Sequence, residues 1–151
     1  MRKLLLLPVL FLFCGFVFTD KAPEWKLLIA GKNSGVMERK TILFSNKKQF
    51  IKGWSELRKS DFSLPESPPG VNFKEKVVIA CYAGTQTNGL EADSLWNEKG
   101  NLCIRLTRIS LEKNCPNAKL LVTPFVIIET DRVGWNVVKE LERVRIVDCK
   151  E

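Results

Sequence analysis

The chain has 151 residues, 45% of them hydrophobic, and a formal net charge of +7. It contains no histidine, so a Ser-His or Cys-His catalytic pair cannot be assembled within it. Its basic residues are scattered among acids and form no block, which reads as a solvated surface and not as a nucleic-acid footprint.

Arg2 and Lys3 give a short positive start, and residues 4–18 are then almost wholly apolar, broken only by Pro8, Cys14 and Gly15. The run is short for a membrane span and suits a secretion signal. Its end stays open. Cleavage after Thr19 would leave Asp20 as the terminus, lipidation at Cys14 would anchor the chain, and an uncleaved anchor is the third outcome. Residues 1–19 are thus expected to be a signal peptide or lipoprotein signal, 20–26 a linker, and 27–151 one domain. Loss of the signal leaves about 130 residues, enough for a single core. The chain is expected to be exported, either secreted or held at the cell envelope.

Residues 25–30 form the first apolar stretch, and 31–35 break it with a turn-rich segment. Residues 40–44 favour extended backbone through Thr41, Ile42, Leu43 and Phe44. Ser45 is predicted to cap a helix over 46–57, where Phe50, Trp54 and Leu57 recur at helical spacing and Ile51 widens the stripe. Gly53 weakens that helix. Residues 60–70 are rich in Ser and Pro and read as a surface loop.

Residues 76–84 carry an unbroken apolar run through Val77 and Tyr82, which suits a central strand buried on both faces. Asn88-Gly89 is a strong turn pair, predicting a hairpin turn before a weaker strand over 90–96. Glu91 and Asp93 share a face of that strand and read as solvated charges. A second turn is expected at Lys99-Gly100-Asn101. Over 102–109, Leu102, Ile104 and Leu106 alternate with Arg105 and Thr107, the pattern of a half-buried strand. A polar loop over 112–119 precedes an apolar strand over 120–129, where Pro124 implies an edge, a bulge or the start of pairing. Residues 133–140 fit a short helix or a loop, and 143–149 a last strand. Six to eight strands follow one another with one helix in the N-terminal half. The predicted class is α+β, β-dominated, as a mostly antiparallel sheet or a partly closed barrel.

Apart from Cys14, the cysteines are Cys81, Cys103, Cys115 and Cys149. In an oxidising compartment an even number predicts two disulfides. Of three pairings the simplest is Cys103–Cys115 with Cys81–Cys149, one closing a local loop and the other tying the C-terminus to a central strand. Four free, buried thiols are the alternative. There is no CxxC pair and no phosphate-binding glycine loop, so no metal and no cofactor is expected.

Several segments, read in order, resemble one family. They are Gly31-Lys32-Asn33-Ser34-Gly35-Val36, the helix around Trp54, Pro69-Gly70-Val71-Asn72-Phe73, the strand over 75–83, Gly84-Thr85-Gln86-Thr87-Asn88-Gly89, and Leu121-Val122-Thr123-Pro124-Phe125. The set resembles the PrcB-type protease-complex subunit domain of exported and lipid-anchored bacterial proteins, over about residues 30–129. The resemblance implies a non-enzymatic accessory role, with a protein partner such as a protease. The family's central turn reads Thr-Gly-Gly-Tyr, whereas here it is Thr87, Asn88, Gly89 and Leu90. Asparagine still tolerates positive φ, but any contact made by the tyrosine is lost.

Thr85, Gln86, Thr87, Asn88 and Gly89 are the expected contact points, since loops beside buried strands often carry function. Two other readings stand beside the binding module. One is a direct protease inhibitor using the 85–90 turn, since the family's Thr-Gly-Gly-Tyr turn at that place is similar to the plugging loop of chagasin-type inhibitors; the altered turn here weighs against it. The other is a polyanion or host-surface binder using the residual positive charge.

Overall fold

The computed structural model describes residues 22–85, 87–132, 134 and 138–149. Its strands are β1 (Trp25–Gly31), β2 (Lys40–Phe44), β3 (Lys76–Tyr82), β4 (Gly89–Glu98), β5 (Asn101–Leu111), β6 (Phe125–Asp131) and β7 (Val138–Val147), with one helix, α1 (Lys47–Ser60). A short 3-10 helix, Pro116–Lys119, interrupts the loop after β5. β1 begins at Trp25, inside the stretch read as a linker. The fold is α+β and β-dominated, and its sheets are mostly antiparallel.

The strands form two sheets rather than a barrel. The first has the order β1-β6-β3-β2 and is antiparallel throughout, while the second has the order β4-β5-β7. β4 and β5 form the expected hairpin around Lys99-Gly100. β7 pairs with β5 in parallel. A parallel partner needs a long crossover, usually helical. Here the crossover is β6 itself, which lies in the other sheet.

The continuous apolar runs of β3 and β6 follow from this layering. Val78, Ala80, Tyr82, Phe125 and Ile127 pack toward α1, in one cluster with Phe50, Trp54 and Leu57. Ile79, Cys81, Val126 and Ile128 pack the other way, against Leu95, Leu102, Ile104 and Leu106 of the second sheet. The molecule is therefore helix on sheet on sheet, with the first sheet buried on both sides. A strand covered on both faces has no polar face, so its sequence shows no alternation. β5 departs from the expected half-buried strand: Leu102, Ile104 and Leu106 alternate in the sequence, but Cys103 and Thr107 on its other face are buried as well.

The helix begins one residue later than expected and is capped differently. Asn46 accepts a hydrogen bond from the Gln49 backbone N–H at 2.9 Å. Ser45 instead contacts the Gln49 side-chain Oε1 through its backbone N–H and its hydroxyl. Both residue types are good caps, and Asn46 is the one whose side-chain oxygen meets a first-turn N–H. Gly53 has a packing reason: a Cβ there would lie 2.5 Å from the Phe44 ring, so its absence lets α1 sit close over β2. Trp54 is 2% exposed, and its indole N–H donates to the Pro65 carbonyl at 3.0 Å.

The expected disulfide pairing is wrong. Cys115 joins Cys149, while Cys81 and Cys103 are free and buried. The parallel register explains this. It sets Val147 beside Leu111, and the Glu112 N–H donates to the Val147 carbonyl at 3.1 Å. Cys149 is thereby delivered to the turn after β5 instead of returning to β3. Cys81 stays between the two sheets. Cys103 lies between Leu102 and Ile104 on the opposite side of β5.

Candidate functional site

The 85–89 segment is not a hairpin turn. It carries the chain from β3 in the first sheet to β4 in the second, and Gly89 is already the first residue of β4. Its side chains are largely spent on that crossing. Thr87 is buried, and its hydroxyl donates to the Ile109 carbonyl at 2.6 Å. The Asn88 N–H donates to the same carbonyl at 2.8 Å, and its Oδ1 accepts from the Leu111 N–H at 3.1 Å. Gly84 starts the crossing at φ +71°, and a Cβ there would lie 2.8 Å from the Met37 carbonyl oxygen. Thr85 is half-buried. Gln86 and Cys14 lie outside the described residues, as do 133 and 135–137 within the ambiguous stretch.

The acids of β4 also differ from expectation. The pairing with β5 jumps from Ala92↔Leu106 to Ser94↔Arg105, so Asp93 is the extra residue of a bulge. It accepts from the Thr107 hydroxyl at 2.5 Å, while Glu91 pairs with Arg145 at 2.8 Å. Neither is placed as an acid–base partner of the other.

β2 forms one edge of the first sheet, and its two flanks differ. On the flank facing the second sheet, the Thr41 hydroxyl donates to Glu140 of β7. Arg39 donates to Glu140 and pairs with Glu142 at 2.8 Å, and Arg108 reaches Glu142 at 3.6 Å. Burial pulls the Arg39 pKa down, but its bond to Glu140 and the two carboxylate charges outweigh this and hold it above the usual value. Cys81 lies opposite Thr41 in the register. Burial pushes its thiol up to about 12, and the Thr41 contact offsets only part of that. Such a thiol is neutral at pH 7 and a poor nucleophile. Burial, followed by the Glu98 carboxylate, likewise raises Cys103. Among the described residues, no three His, Cys, Asp or Glu side chains are grouped to hold a metal.

On the other flank β2 faces α1 across an open groove of about 580 Å³. Ile42, Phe44, Leu57 and Val36 give it an apolar floor, and the Tyr82 ring lies at its side. Three charged side chains line it: Lys40, Lys52 and Glu56. Glu56 is already paired with Lys59 at 2.8 Å, and that bond holds its carboxyl below the usual range. Lys40 lies over the Tyr82 ring, 5.7 Å from its centre. The groove's fixed charge is therefore positive. Beyond β3, β2 makes no strand pairing among the described residues, so the main chain along the groove has an open edge.

The groove escaped the sequence reading because Lys52 and Glu56 fit an ordinary solvated helix face. The nearest signal was Gly53, a residue out of place in a helix unless another element approaches it closely. Comparisons with family models, with curated proteins and with solved structures return no match for this chain.

Proposed function

We propose that this chain is an exported, non-enzymatic accessory protein that acts by binding another protein, as its resemblance to the PrcB-type protease-complex subunit domain implies. One observation carries this reading: a strand edge with no partner among the described residues lies beside an open, positively charged groove along a helix. Unpaired edges invite pairing with another chain, and folds usually cover or blunt them. The thiols support a non-catalytic role, since both free cysteines are buried and hold their protons above the ordinary range.

The direct-inhibitor reading ranks lower. It needs the 85–90 turn to enter an active site, and Thr87 and Asn88 are committed to the main chain of β5. Mild cross-linking of cells, followed by capture of this chain from envelope and medium, tests the accessory role. A recurrent protein recovered in near-equal amount is the expected result. Recovery of the chain alone, from both fractions, would remove the accessory function.

A further inference from the structure

We propose that the groove between β2 and α1 receives an extended, acidic peptide segment of the partner, which adds a fifth strand to the first sheet along the free edge of β2. The inference rests on the accessory-protein reading and names the kind of segment that would be bound.

The geometry is that of strand addition beside a helix. An added strand gains main-chain hydrogen bonds from the edge, while alternate side chains enter the groove. Every second residue of an edge strand directs its N–H and C=O outward, so Lys40–Phe44 offers a short ladder of such groups. The helix wall runs from Gln49 to Ser60. At 1.5 Å per residue that is about 16 Å, the length of about five extended residues. The floor of Ile42, Phe44 and Leu57 suits apolar side chains at alternate positions of the ligand.

Charge selects the ligand's sign. Lys40 stands on the strand wall and Lys52 on the helix wall, and the one acid in the lining is already paired with Lys59. A basic segment would meet two lysines and one carboxylate, Glu56, which already answers Lys59 and Lys52. An acidic one would meet two donors, and its affinity should fall as salt rises.

The test uses the full chain in mild detergent, panned at low salt against a displayed library of random decapeptides. The expected result is enrichment of acidic sequences with alternating apolar residues. Binding of the leading synthetic peptide should weaken about tenfold in Lys40→Glu/Lys52→Glu, with the Tm nearly unchanged, and less in Lys40→Gln/Lys52→Gln. N-methylation of the peptide's alternate amides in one register should abolish binding, and in the other register should leave it intact. The inference is overturned by no enrichment, by enrichment without acidic bias, by indifference to both lysine pairs, or by indifference to N-methylation. A dimer of the peptide-free chain that dissociates in the Lys40→Glu/Lys52→Glu variant would also overturn it, since a second copy would then be the occupant. Cross-linking with that variant separates the two readings. A partner captured equally by wild type and variant leaves the accessory role standing and removes the groove; a partner lost only in the variant supports both.

Discussion

The two flanks of β2 are built from the same five residues and reach opposite ends. Toward the second sheet, Thr41 is sealed by Glu140, Arg39 and Glu142, and the buried Cys81 thiol lies behind it. Toward the helix, Ile42 and Lys40 face an open groove. The sealed flank joins the two sheets at their edges and fixes where β7 runs. The open flank is left with apolar floor, positive rim and a main-chain edge that no described residue pairs. The difference teaches that an edge strand can be closed by side chains on one face while its hydrogen-bonding edge stays available.

The largest effect should come from removing the support of the open flank. Trp54→Ala deletes the central side chain that seats α1 on the first sheet, together with its bond to the Pro65 carbonyl. A loss of about 3–5 kcal/mol is expected in denaturant unfolding. Next comes the fixation of the sealed flank. The Cys115–Cys149 bridge spans a sequence separation of 34 and holds the end of β7. Cys115→Ser/Cys149→Ser should cost about 3–4 kcal/mol in the chain-entropy model. Cys81→Ser/Cys103→Ser should leave the mass of the bridged form two hydrogens below its reduced form, as expected for a single bridge.

A smaller effect is expected from the seam itself. Glu140→Ala leaves Arg39 and the Thr41 hydroxyl without their shared partner. About 1–3 kcal/mol should be lost, measured by thermal unfolding. Peptide binding at the groove should change little, because the substituted residue lies on the other flank.

The smallest effect concerns pH. Glu112 lies beside Asp148, and their hydrogen bond, followed by mutual repulsion, raises the Glu112 pKa. A carboxyl whose pKa is raised on folding favours the fold while protonated. Its contribution is present below the unfolded value and is lost as pH rises through the folded one. Glu112→Gln should therefore raise the Tm slightly at pH 7 and leave it unchanged at pH 4.

Much of the layering was legible in the residues. The run Val77–Tyr82 announced a strand covered on both faces, and Phe50, Trp54 and Leu57 the buried face of a helix, whereas the alternation over 102–109 hid the burial of Cys103 and Thr107 on the second face of β5. Periodicity marks the apolar face of a strand, but not what covers its other face or which strand lies beside it. Hence the parallel β5–β7 pairing, the Cys115–Cys149 bridge that follows from it, and the free edge of β2 could not be read. Asn88-Gly89 misled for a related reason. Its turn chemistry is local, whereas its actual role, bonding the crossing to Ile109 and Leu111, is set by a distant strand. The groove needs two elements to be placed before either wall means anything.

The most direct test of the account is amide hydrogen exchange of the full chain with and without the leading acidic peptide. The account predicts new protection at alternate amides within Lys40–Phe44, with residues 85–89 unchanged. Protection at residues 85–89 with β2 unchanged would contradict it and return the binding site to the loop.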